Sequence, residues 1–218
     1  MTFTTRPDWL VPAGLIALSL IPVVAGAVRL NDLAGGVEIT AENARFFASP
    51  VPVVTHIFSV TIYCILGAFQ FHPGLRRRRP RWHRTAGRIL VPAGLVAAAS
   101  GLWMSQFYRL PAHDGELLYV FQLIFGFGMM LSIILGLAAI LRRDIARHQA
   151  WMMRAYAIAV GAGTQAFTIM PWILIAGMPD ALSKALLMGA GWVINLAVAE
   201  WFIRRRRSSY PIRTPATA

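Results

Sequence analysis

The chain contains one cysteine, Cys64, and only nine acidic side chains among 218 residues, and charged residues make up just 14% of it. A lone thiol excludes an internal disulfide, a four-cysteine iron–sulfur cluster and a CxxCH haem attachment, so any prosthetic group must be held by other ligands. So little charge beside 57% hydrophobic residues excludes a soluble two-domain enzyme, a disordered chain and a disulfide-rich secreted module. Walker, GxGxxG, HExxH and GxSxG motifs are also missing, which leaves hydrolase and nucleotide-enzyme readings without a foothold. The basic runs lack the interleaved aromatics of a nucleic-acid platform, so no nucleic-acid partner is expected.

What is present is apolar length, with a mean hydropathy of +0.58. Hydrophobic stretches at 9–28, 51–71, 85–107, 117–141, 150–176 and 182–203 each approach the ~20 residues that cross a bilayer. The expected fold is an all-α, polytopic transmembrane bundle of about six spans, a single domain over 1–207 with a disordered tail over 208–218. The 21 Lys and Arg outnumber the acids and give a net charge of +12, but they sit between the spans, so the charge reads as topology rather than as a binding surface. With both termini cytoplasmic, only Arg29, Arg45, Arg109 and Lys184 fall outside. This places the protein in a bacterial inner membrane, its arginines on anionic headgroups at the cytoplasmic face. Ala25-Gly26-Ala27 is similar to a signal-peptidase site, but the long apolar run, Asp8 and Pro12 favour an uncleaved anchor. The 29–50 loop, with Asp32, Glu38, Glu42 and Gly35-Gly36, reads as an extracytoplasmic excursion.

Polar and small residues inside spans mark the faces that meet other helices. On the second span His56, Ser59, Tyr63, Gly67 and Gln70 lie within about 60° of one another on a helical wheel. On the third, His83, Gly87, Gly94 and Gly101 fall within about 40°, as do His148, Ala155, Ala159, Ala162 and Ala166 on the fifth. Two facing helices, each with a histidine at its cytoplasmic foot and small residues above, would admit a planar macrocycle and supply both axial ligands. Arg84, Arg88 and Arg154 would then meet the propionates of a b-type haem. The competing reading is packing alone, with interfacial His and Arg on lipid phosphates. An outer pair would join His56 to His113, which a surface loop also explains; His72 could stand in for an inner ligand or touch headgroups. Asn195 reads as an interhelical hydrogen bonder, Glu200 as a partner of Arg204 one turn on, and Met129, Met130, Met152 and Met153 as packing.

The segments Gln70-Phe71, Trp82-His83-Arg84-Thr85-Ala86-Gly87-Arg88 and His148-Gln149-Ala150-Trp151-Met152-Met153-Arg154-Ala155-Tyr156, over a core of about 50–175, resemble a bacterial membrane-protein family, domain of unknown function 2306. The resemblance implies signature positions at His56, His83, Arg84, Gly87, Arg88, His148, Trp151, Met152 and Arg154; Gln149 departs from the arginine usual there, and His113 matches no family motif. The family's layout is similar to that of four-helix bis-histidine membrane cytochromes of the b561 and ferric-reductase types. That analogy implies haem b between His83 and His148, carrying electrons from a membrane quinone pool to an acceptor. The alternative is a cofactor-free scaffold, assembly factor or small-solute carrier, for which the His56-to-Gln70 stripe, about 21 Å long, would be the polar path.

Overall fold

Prolines and polar caps set the starts of many helices in the computed structural model, which describes residues 8–109, 111 and 114–208. After α1 (Leu10–Gly35) and the short α2 (Ala44–Ala48), the helices α3 (Pro50–Ala68), α4 (Pro73–Arg78) and α5 (Pro80–Phe107) each open on a proline. The fixed φ and missing N–H of proline suit a first turn. A 3-10 turn, Phe69–Phe71, extends α3, and α6 (Glu116–Leu141), α7 (Ile145–Ala159), α8 (Gly161–Ala176) and α9 (Ala181–Ser208) complete the chain. The Asp144 carboxylate caps α7 by accepting from the Arg147 N–H at 2.9 Å, and Asp180 caps α9 by accepting from Ser183 at 2.8 Å. Every regular element among the described residues is helical.

The expected spans are all found. Five helices are long and apolar enough to cross a bilayer, and the bent α7–α8 pair, counted as one span, makes six. Large apolar side chains point outward, Ile175 being 87% and Phe127 59% exposed, as a lipid-facing surface requires. Two boundaries differ from expectation. α1 continues past the apolar run to Gly35, because Arg29 and Asp32 pair one turn apart at 3.4 Å and carry the helix on until Gly36 closes it at φ 68°. The stretch 150–176 is not one helix but breaks at Val160, where α7 and α8 meet at 41°. Close packing accompanies the break: a Cβ on Gly161 would stand 2.3 Å from Trp192 Cδ1, and one on Gly163 2.1 Å from the Leu18 carbonyl oxygen.

α3, α5, α6 and α7 form a ring in which α5 packs on α3 and α6, α6 on α7, and α7 closes back on α3. The diagonal pairs α3/α6 and α5/α7 are not in extended contact. α1, α8 and α9 pack outside this ring, α1 on α3 and α8, α9 on α6, α7 and α8. The core is small residues filled in by aromatics: Ala68, Ala155 and Ile133 are fully buried, and Tyr63 and Tyr156 lie between them. Tyr156 donates its hydroxyl to the Cys64 carbonyl at 2.6 Å, which satisfies the phenol in an apolar interior. Asn195 bonds as expected, accepting from Thr164 at 2.8 Å and donating to the Ala157 carbonyl at 3.1 Å.

Candidate functional site

The hairpin order puts the ends of α3, α6 and α9 and the starts of α5 and α7 at one arginine-rich end of the bundle. His83, one turn into α5, and His148, one turn into α7, sit there on opposite members of the α5/α7 diagonal, both half-buried. Arg76 and His148 are the titratable groups that act electrostatically on His83. His148 Nδ1 lies 2.8 Å from the Gly136 carbonyl on α6. A carbonyl only accepts, so Nδ1 carries the proton and Nε2 is left as a lone-pair donor. His83 differs: its Nδ1 is buried without a hydrogen-bond partner, and among the described residues the only other buried side-chain polar atom in that state is Gln70 Nε2. Both orphaned nitrogens belong to the histidine and glutamine blocks singled out in the sequence, and both lie at this end. Buried polar groups are nearly always paired, so two unpaired ones at the same end make it the candidate site.

The glycine line of α5 is not one open groove. A Cβ on Gly94 would lie 2.5 Å from the Tyr63 ring and 2.8 Å from Ile133, and one on Gly101 3.3 Å from the His56 ring, whereas Gly87 has nothing within 4 Å. Of the three glycines on this line, only Gly87, one turn above His83, has open space against it. Arg84 and Arg88 are exposed there and form no ion pair among the described residues. Arg154 is engaged elsewhere: its Nε and Nη2 donate to Glu200 Oε1 and Oε2 at 2.5 and 3.1 Å, and its guanidinium lies 4.5 Å from the Trp151 ring centroid. His72 is held by structure, its Nδ1 accepting from the Leu75 N–H at 3.0 Å to cap α4. No three His, Cys, Asp or Glu side chains converge as a metal-binding set among the described residues.

These residues fall within a stretch that matches a family model described as a predicted membrane protein, DUF2306, over residues 53–203. The chain belongs to the DUF2306 family. The match takes in α3 through most of α9, so the family core extends beyond the expected 50–175 and includes Glu200, the partner of Arg154. DUF2306 membership makes this a membrane protein, in agreement with its apolar helices. None of the curated proteins and none of the solved structures matches the chain.

The other end of this DUF2306 bundle holds a feature that no segment of the sequence announces, a cavity of about 420 Å³ lined by residues of α1, α2, α3, α5, α6, α7, α8 and α9. His56 lines it, its Nδ1 2.9 Å from the Ala97 carbonyl and 3.2 Å from Ser100 Oγ. Arg45, Arg109 and Asp114 are the charged residues on its lining. There Arg29 and Arg45 lie over the Phe46 ring at 4.5 and 4.7 Å, Phe46 meets Tyr108 edge-on, and Tyr108 donates to the Ser49 carbonyl at 2.6 Å. Desolvation pulls the Arg45 guanidinium below its ordinary pKa, with Asp114 pushing back. Asp114 also pairs with Lys184 at the start of α9. His113, the expected outer partner of His56, lies outside the described residues.

Proposed function

We propose that this DUF2306 protein is a membrane electron carrier of the bacterial inner membrane that holds b-type haem at its arginine-rich end, with His83 and His148 as axial ligands. The observation that carries the reading is the pair of orphaned buried nitrogens, His83 Nδ1 and Gln70 Nε2, at the end where His148 keeps Nε2 free. Open space at Gly87 supports it, as does the α5/α7 diagonal, which keeps the two histidine-bearing helices from closing on each other. A haem bound there would supply one-electron chemistry. The Gly136 carbonyl orients the His148 ring, as outer partners of ligating histidines do. Arg84 and Arg88, exposed beside Gly87, are the cations available to propionates, while Arg154 braces α7 against α9 and acts on the site through position.

In this reading both termini and the arginine-rich end face the cytoplasm, where the arginines also meet anionic headgroups, and a membrane quinol supplies the electrons. A small-solute carrier is disfavoured by the packed middle of the bundle, where the Tyr156 ring stands against Gly67 of the His56-to-Gln70 stripe. The test is the absorption spectrum of detergent-purified protein expressed with haem supply, oxidised and dithionite-reduced. A Soret band with sharp reduced α and β bands, lost in His83→Ala and His148→Ala, is expected. A colourless protein, or full haem content in both variants, overturns the proposal.

A further inference from the structure

The cavity at the end opposite His83 and His148 is lined by a half-buried histidine that has an unused ring nitrogen. His56 Nδ1 faces the Ala97 carbonyl, and the neighbouring Ser100 hydroxyl donates to the Val96 and Ala97 carbonyls at 2.6 and 3.1 Å. A carbonyl cannot donate, so Nδ1 carries the hydrogen and Nε2 presents a lone pair. No described residue donates to that Nε2. A ligand that satisfies it must therefore bring a donor.

The walls restrict the ligand further. Phe125 and Trp192 stack at a centroid separation of 4.6 Å, and with Val60, Met129 and Ile158 they make the lining mostly apolar. The charged groups on the lining are Arg45, Arg109 and Asp114, and none of them hydrogen-bonds His56. A carboxylate or phosphate at Nε2 would set an acceptor against a lone pair in a mostly apolar surround, which disfavours an anion at that nitrogen. A neutral hydroxyl on an apolar ring fits. A dry cavity of roughly 150 Å³ accommodates benzene, so about 420 Å³ holds a substituted ring and the first part of a tail. Gln122, on α6, also lines the space and offers amide N–H groups to the second oxygen of the same ring.

We infer that this cavity binds a lipid-soluble hydroquinone, with one ring hydroxyl donating to His56 Nε2. The inference deepens the electron-carrier reading by naming the donor site, but ligand binding is measurable whether or not the protein holds haem.

The experiment measures the rise in melting temperature of detergent-purified protein with a decyl-substituted hydroquinone under reducing conditions. The dimethyl ether of the same molecule, which has no donor, serves as comparison. The wild type is expected to bind the hydroquinone about tenfold more tightly than the ether, the weight of one buried hydrogen bond. His56→Ala is expected to bind both ligands equally, and His56→Gln, which keeps an acceptor, to recover part of the preference. Equal binding of hydroquinone and ether by the wild type overturns the inference, as does an unchanged preference in His56→Ala. Loss of haem absorbance in His56→Ala also overturns it, because the cavity would then be a haem site. Colourless protein that discriminates the two ligands sinks the haem proposal and leaves this one standing; haem-loaded protein that does not discriminate does the reverse.

Discussion

Arg154 on α7 and Glu200 on α9 face each other as a two-point clamp, both guanidinium donors meeting both carboxylate oxygens. The side chains are 23% and 33% exposed, so water screens the pair in part and its worth is modest. Removal of either partner should lower stability by about 1 kcal/mol, with a coupling in the double mutant of similar size. Arg154→Lys should not rescue it, because an ammonium can neither fork onto both oxygens nor stack on Trp151. A double-mutant cycle read by reversible detergent unfolding checks this; strict additivity of the two single changes would dissolve the clamp.

Tyr156 both fills the hollow at Gly67 and donates to Cys64. Tyr156→Phe removes only the hydrogen bond and should cost about 1 kcal/mol. Tyr156→Ala also opens a cavity between α3 and α7 and should cost roughly 3–5 kcal/mol. If the two variants melt together, the ring does not pack as described.

Glycines sort by what stands against them. Gly163→Ala drives a methyl into the Leu18 carbonyl oxygen of α1, a backbone atom that cannot swing aside, so little folded protein is expected on size-exclusion chromatography. Gly87→Ala meets nothing within 4 Å and should leave stability equal or up to about 1 kcal/mol higher from helix propensity. If haem occupies that space, the same variant should lose haem content without losing stability. The two readouts separate a packing glycine from a clearance glycine.

Arg143 holds φ 62° in the turn between α6 and α7, where its N–H donates to Ile140 and the next N–H to Ala139. That is the position a glycine normally takes in a helix C-cap. Arg143→Gly relieves the left-handed strain and should raise stability by about 0.5–1 kcal/mol. A clear fall in the melting temperature would mean that the arginine side chain contributes more than the strain removes.

At the start of α9, hydrogen bonds from the Ser183 side chain and backbone hold the Asp180 carboxyl below its usual pKa. A depressed carboxylate stabilises above its unfolded pKa, and that contribution disappears as pH falls through the folded value. Amide exchange at Ser183 and Lys184 should therefore speed up in acid more than intrinsic chemistry requires, and Asp180→Asn should remove the extra pH dependence. Equal pH profiles for the two proteins would show that the cap does not titrate in this range.

Lipid demands long apolar runs, so the spans were readable from hydropathy, and the α3 stripe was readable because Ser59, Tyr63 and Gly67 recur at helical spacing and are all buried. Which group fills a hollow was not. Gly94 reads as open to any flat partner until Tyr63 and Ile133 are seen against it. Glu200 has Arg204 one turn away in sequence, yet its two-point partner is Arg154, because local spacing carries no information about which helix lies opposite. Ala155, Ala159, Ala162 and Ala166 read as one face of a continuous helix, and the break between Ala159 and Ala162 comes where Gly161 and Gly163 pack on Trp192 and Leu18, which belong to other segments. The cavity beside His56 is a volume left between helices, and no single stretch of chain encodes it.

The 41° break between α7 and α8 has a mechanical consequence. Ile158 and Ala159 lie just before the joint and Ala162 just after it, and all three line the cavity. α7 belongs to the ring that carries His148, while α8 leans on α1 and α9. The fifth span is thus an elbow with a ligand chamber in its crook, and any change in its angle must widen or narrow that chamber, so the histidine end and the chamber end share one lever.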